Sequence, residues 1–267
     1  MAERERLDVL LFSRGLFESR ERARAAVMRG DVYVDGQKAD KPGMAFPPNA
    51  AVEVRVKAVP YVSRGGLKLE KALRDFSVDV SGLSVLDGGA STGGFTDCLL
   101  QNGACRVWAV DVGYGQLAWE LRNDPRVRCV ERMNIRSLTR EHLDGELADM
   151  AVLDLSFISL SLVLPAVRAV LSGGAPVICL VKPQFEAGRE KVGKRGVVRD
   201  PGTHRQVLRS HIASAEAADF TVKQIAFSPI KGPKGNIEFL SYLAAGADVP
   251  AGIDVDPIVD AAHKELL

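Results

Sequence analysis

The chain has little cysteine, no excess charge of either sign and no long apolar run. Its four cysteines, Cys98, Cys105, Cys129 and Cys179, stand singly, with no C-x-x-C pair and no His-Cys cluster. They therefore read as reduced core residues of a cytosolic protein, and no metal is expected. Lys and Arg total 35 against 34 Asp and Glu, so any surface for a polyanion must be a local patch. The start, M-A-E-R-E-R-L-D, lacks the apolar core of a secretory signal, and export is not expected. The most apolar stretch, 156–171, is broken by Pro165 and Arg168 and falls short of the roughly 20 residues that span a bilayer. There is no internal repeat and no low-complexity tract. What remains is a cytoplasmic globular chain of 267 residues, 46% hydrophobic, long enough for one large or two modest domains.

The most informative segment is V-L-D-G-G-A-S-T-G-G-F-T-D, residues 85–97. An apolar strand ends on a carboxylate and breaks into glycines before a helix begins, which lets a ligand lie against backbone N–H groups. The spacing of Gly89, Gly93 and Gly94 is G-x-x-x-G-G, not the dinucleotide pattern G-x-G-x-x-G. Asp87 would repel a pyrophosphate and suits a cationic, amino-acid-bearing ligand such as S-adenosylmethionine. A second run, R-V-W-A-V-D-V, ends on Asp111, 22 residues beyond Gly89 and placed to accept hydrogen bonds from ribose hydroxyls. Either carboxylate alone can be read as a strand end or helix cap; the pair around one glycine-rich turn favours a cofactor.

Residues 1–58 read as a separate unit. Leu7–Leu16 is apolar at helical spacing with Gly15 at its end, and Ser19 caps a second helix, Arg20–Arg29, closed by Gly30. Val32–Val34, a turn at Asp35-Gly36 and the alternating Ala51–Val56 supply a small sheet. The second helix carries Arg20, Arg22, Arg24 and Arg29, suited to phosphate oxygens, although a solvated face paired with Glu18 and Glu21 explains the same charges. The order helix-helix-strand with S-R-E-R-A-R-A-A-V-M-R-G-D-V-Y-V-D-G resembles the S4 RNA-binding domain.

V-P-Y-V-S-R-G-G, residues 59–66, reads as a linker, and a helix starts at Leu67. Strands are then expected at Ser84–Asp87, Arg106–Val112, Val127–Glu131, Met150–Leu155, Pro176–Lys182, Phe220–Phe227 and Ile237–Leu243. Alternation with helices predicts an α/β unit over 67–267 with a mostly parallel sheet and ligands at the strands' carboxyl ends. The last twenty residues are expected to form a weakly held helix. Asp154, Lys182 and Glu238 sit at strand ends and Lys68 on the preceding helix, a set able to orient a hydroxyl for methyl transfer. Lys182 is the candidate base, which requires burial to lower its pKa from about 10.4. Arg189, Lys191, Lys194 and Arg195, between glycines just after Lys182, read either as a mobile loop closing on RNA or as an ordinary solvated loop.

The segments S-R-G-G-L-K-L, D-G-G-A-S-T-G-G-F-T-D, A-V-D-V-G-Y-G-Q-L, D-L-S-F-I-S-L, V-K-P-Q-F-E and G-N-I-E-F together resemble the TlyA family over nearly the whole chain. That resemblance implies an S4 domain ahead of an FtsJ-like, Rossmann-like class I methyltransferase domain with a seven-stranded sheet. It implies 2′-O-methylation of a cytidine ribose in 16S rRNA, 23S rRNA or both, within ribosomal subunits, with S-adenosylmethionine as donor. Lys68, Asp154, Lys182 and Glu238 would be the catalytic tetrad. Asp87, Gly89, Ser91, Thr92, Gly93, Gly94, Phe95, Asp111 and Asp154 would hold the cofactor. Arg14, Arg20, Arg22, Arg24, Arg29, Arg64, Arg189, Lys191, Lys194 and Arg195 would meet RNA. Two rivals follow from the same residues. Base-amine methylation is disfavoured because Asp154-Leu155-Ser156-Phe157 lacks the paired prolines of that chemistry, and a membrane-active hemolysin lacks a spanning or strongly amphipathic segment.

Overall fold

A computed structural model describes residues 4–17, 19–54, 60–246 and 252–266. It divides the chain into two compact units, residues 1–59 and 60–267.

In the first unit, strand β1 (Glu5–Arg6) leads into helix α1 (Leu7–Ser13), which buries Leu7, Leu10 and Leu11. Helix α2 (Arg20–Arg29) begins where the Ser19 hydroxyl accepts the Arg22 N–H at 3.2 Å and ends at Gly30. Its Ala23, Ala26 and Val27 are buried against α1, so the small residues make the seam and the arginine-bearing face is left outside. Strands β2 (Val32–Val34), β3 (Gln37–Lys38), β4 (Ala45–Phe46) and β5 (Val52–Val54) follow. They form an antiparallel sheet in the order β3-β2-β5, while β4 pairs with β1. The expected strand at Ala51–Val56 is observed as Val52–Val54; residues 55–59 lie outside the described part, as does Glu18. Asp8 is buried between Arg6 (3.0 Å) and Arg20 (3.2 Å), and the Arg6 guanidinium holds its carboxyl below the usual range.

In the second unit, helix α3 (Gly65–Asp75) precedes strand β6 (Ser84–Gly88), helix α4 (Gly94–Gln101), strand β7 (Arg106–Val110), helix α5 (Trp119–Arg122) and strand β8 (Val127–Val130). Strand β9 (Met150–Leu153), helix α6 (Leu164–Arg168), strand β10 (Pro176–Val181), helices α7 (Pro183–Glu186) and α8 (Pro201–Ala217), strands β11 (Phe220–Phe227) and β12 (Phe239–Ala245) and helix α9 (Asp256–Leu266) complete it. The sheet order is β11-β12-β10-β9-β6-β7-β8. All neighbours are parallel except β12, which is antiparallel to β10 and β11. Strand β9 is buried throughout and β10 nearly so, as expected for parallel strands covered on both faces. From β6 the chain winds outward first through β7 and β8 and then, on the other side, through β9 and β10. The strand order therefore reverses between β6 and β9, where ligands bind in such sheets.

Two expectations are corrected. The segment at 60–66 is no open linker: Tyr61 is buried, its hydroxyl donates to Glu70 (3.0 Å), the Val62 N–H donates to Asp97 (2.8 Å), and α3 already starts at Gly65. The C-terminal helix is firmly packed, with Val259 and Ala262 fully buried and Asp256 and Asp260 paired with Arg205. After the basic residues 189–195, Asn236 accepts the Val198 N–H (2.9 Å) and donates to the Gly196 carbonyl (2.9 Å), which ties down the end of that stretch.

Candidate active site

The glycine-rich turn joins β6 to α4 at the switch point. Gly89 has φ +85°, and a Cβ there would stand 2.7 Å from the Asp154 carbonyl oxygen, so both conformation and space demand glycine. Gly93 has φ +98° and is packed against Leu117 and Leu121. One strand away, Asp111 receives the Ser91 N–H at 2.8 Å and the Gly113 N–H at 2.6 Å. Each of its oxygens keeps a further lone pair for a ribose hydroxyl.

Two adjoining cavities open along this edge. One, of about 420 Å³, is lined by Asp111, Gln116, Asn134 and the apolar Met133, Ile135 and Ile158. The other, of about 270 Å³, is lined by Arg64, Lys68, Thr92, Phe95 and Lys182. Gly89, Ser91, Asp154 and Ser156 line both, so the two form one trough across the switch point.

The four residues expected to carry chemistry come together at the second cavity. Lys68 Nζ lies 2.6 Å from Glu238 Oε2, and Lys182 Nζ lies 2.6 Å from Asp154 Oδ1. Lys182 directs its hydrogen bond to Ser156 Oγ at 2.9 Å. Lys68 and Lys182 are only 7% and 8% exposed, enough to present an amine to the cavity while excluding most water. Glu238, 1% exposed, does not line the cavity and is paired with Lys68.

The FtsJ-like methyltransferase family matches residues 61–245 and the S4 domain matches residues 5–52. The 16S/23S rRNA (cytidine-2'-O)-methyltransferase TlyA of Mycobacterium tuberculosis is 43% identical over 267 residues, 100% of this chain and 98% of its own length. The chain belongs to the TlyA family of FtsJ-like methyltransferases. YqxC of Bacillus subtilis, provisionally named an rRNA methyltransferase, is 49% identical over 99% of this chain and 96% of its own. A solved structure from Streptococcus thermophilus, provisionally described as a hemolysin, has TM-score 0.80 and 46% identity, covering 99% of this chain and 98% of that one.

The methyl donor of FtsJ-like methyltransferases is S-adenosylmethionine, and the TlyA-family trough fits it. Gly89 and Gly94 leave no room for side chains at the turn, Asp111 faces the first cavity, and Met133 and Ile135 offer apolar walls to a base. Asp87 departs from expectation. It is fully buried and lines neither cavity, because its side chain turns under α4 to accept the Thr96 hydroxyl at 2.6 Å. Burial pushes its carboxyl up to about 7, reinforced by Asp154 and Asp111 and opposed by Thr96. Its other oxygen has no partner among the described residues. Asp87 thus shapes the turn from below, and Gly93 likewise acts through backbone conformation without lining the trough; Ser91, Thr92, Gly94 and Phe95 line it.

The basic residues of this TlyA-family chain are spread more widely. Arg64 is exposed on the rim of the second cavity. On the S4 unit, Arg22 and Arg24 are exposed on α2, Arg20 pairs with Asp8, and Arg14 donates to the Pro48 carbonyl; the side chain of Arg29 lies outside the described residues. Arg189, Lys191, Lys194 and Arg195 are exposed, with Lys191 bonded to Gln206. Sequence reasoning missed Ser156, Lys231 and Asn134, all on the trough wall. Ser156 alone carried a signal, standing two residues after Asp154 at a strand end.

Proposed function

We propose that this protein transfers a methyl group from S-adenosylmethionine to the 2′-hydroxyl of a cytidine ribose in ribosomal RNA, acting on ribosomal subunits in the cytoplasm. The observation that carries this reading is that Lys182, Asp154 and the Glu238-paired Lys68 line one cavity, continuous with the Asp111 trough. The donor, when bound, supplies a methyl carbon made electrophilic by its sulfonium.

Asp111, the 89–95 turn and the apolar wall at Met133 and Ile135 would hold the donor, and Asp154 and Ser156 line both cavities. Lys182, as its neutral amine, would orient the ribose hydroxyl and accept its proton as the oxygen takes the methyl group and the methyl–sulfur bond of the donor breaks; Asp154 and Ser156 fix the amine in place. Lys68, braced by Glu238, meets the ribose from the lining of the same cavity. The exposed arginines of α2 and those at 189–195 grip RNA phosphates, which accounts for a net charge near zero with local basic patches.

Base methylation fits less well, since Asp154-Leu155-Ser156-Phe157 offers no paired prolines and its serine is engaged by Lys182. Among the described residues no helix is long and apolar enough to cross a membrane. Incubating purified protein with labelled donor and ribosomal subunits tests the reading: label resistant to alkaline cleavage at cytidine supports it, and label on a base refutes it.

A further inference from the structure

Strand β10 delivers Lys182 and is followed at once by α7, whose last residue is Glu186. Glu186 lines neither trough cavity but a separate one of about 40 Å³ beside Lys191 and Gln206, and its carboxylate reaches the segment that follows Asp154. It accepts the Ser159 hydroxyl at 2.5 Å and the Leu160 N–H at 2.9 Å. Between those hydrogen bonds and the lysine, the rings of Phe185 and Phe157 stand 5.1 Å apart. Two chain segments are thus laid side by side and joined at three places: Lys182 to Asp154 and Ser156, Phe185 to Phe157, and Glu186 to Ser159 and Leu160.

The middle of the second segment is strained. Phe157 has φ +66° and is 89% exposed, a conformation that a bulky residue keeps only where its surroundings over-determine it. The reversal at Phe157 lies between Ser156, which must face Lys182, and Ser159, which is tied to Glu186. Burial raises the Glu186 carboxyl above the usual range, opposed by the hydrogen bonds from Ser159 and Leu160. A mostly enclosed carboxylate that faces neither half of the trough needs such a structural partner to persist.

We infer that Glu186 is a positioning residue for methyl transfer: it clamps the 156–160 segment so that Ser156 and Asp154 hold the Lys182 amine toward the ribose hydroxyl. This rests on the roles given above to Lys182 and Asp154. It predicts that Glu186 acts on the chemical step and not on RNA capture, because both of its hydrogen bonds go to the 159–160 turn.

The test compares Glu186→Ala and Glu186→Gln in the full chain, with S-adenosylmethionine and 16S and 23S rRNA as substrates. Hydrogen exchange of the 154–163 segment is followed without RNA. Glu186→Ala should speed exchange at Leu160 and lower kcat by about 10- to 100-fold, while KM for rRNA stays within about twofold. Gln keeps a carbonyl to accept the Leu160 N–H, so Glu186→Gln should restore slow exchange and most of kcat. Combining Glu186→Ala with Ser156→Ala should cost less than the two losses multiplied, since both act through one arrangement. Faster exchange with unchanged kcat would overturn the inference, as would unchanged exchange, or a loss carried by KM alone. A wild type that methylates neither rRNA overturns the functional reading itself, while its exchange pattern still reports whether the clamp exists.

Discussion

Lys182 stands 26 sequence positions from its serine partner Ser156 and further still from Asp154, yet the parallel pairing of β9 with β10 puts all three at one sheet edge. Replacing Lys182 by Ala should lower kcat by about 10²- to 10⁴-fold, the usual range for a positioned proton acceptor, measured in single turnover at saturating donor. Asp111→Ala should weaken donor binding by roughly tenfold, read by calorimetry without RNA, since it removes hydrogen bonds to a charged acceptor. Asp87 gives a pH signature. Its carboxyl is raised to about 7 in the fold and titrates near 4 when unfolded, so between those values the folded state binds the extra proton. Its contribution is full below about pH 4 and is lost as pH rises through about 7. Asp87→Asn should therefore flatten the fall in denaturation midpoint that wild type shows across that window; an unchanged slope would contradict the burial argument. The four catalytic candidates were legible because ionisable residues at the ends of apolar strands are conspicuous. Asp87 is equally conspicuous yet lines neither cavity, since strand position tells which end a residue occupies and not which way its side chain turns.

Among the elements, the seven strands of the second unit could be read from apolar runs, with Phe220–Phe227 matching to the residue. Five others begin at the expected residue and end one or two residues away from it, and Ile237–Leu243 is shifted at both ends, to Phe239–Ala245. Residues such as Asp111 and Lys182 directly follow the observed strands because pairing stops where the backbone leaves for the trough. Helix α9 was underestimated, because its partners are remote in sequence: Arg205 and Arg209 of α8 pair with Asp256, and His204 Nδ1 lies 2.8 Å from His263 Nε2. Burial, with the neighbouring His263 adding to it, pushes His204 down to about 4, and burial lowers His263 too. Both rings bind protons more readily when unfolded, so this stabilisation is present above about pH 6.5 and is lost as pH falls toward 4. Hydrogen exchange in 256–266 should accelerate over that window, and His204→Gln should reduce the dependence, with His263 and the buried His211 of α8, also pushed down to about 4, carrying the rest.

For the whole molecule, an S4 domain precedes an FtsJ-like methyltransferase domain, and near-neutral net charge conceals the basic face of α2. Arg22→Ala with Arg24→Ala should weaken rRNA binding and reduce the slope of log affinity against log salt by about one for each phosphate no longer neutralised, measured by filter binding across a salt series. The two-unit organisation was legible from the change of pattern near residue 58, since a small helix-helix-sheet unit and an alternating α/β unit follow different periodicities. The central claim is most directly tested by locating the methyl group. After reaction of ribosomal subunits with labelled S-adenosylmethionine, nuclease mapping should find the label on the 2′-oxygen of a cytidine, in an alkali-resistant linkage absent with Lys182→Ala. Label on a nucleobase, or an undiminished yield with Lys182→Ala, would contradict the account.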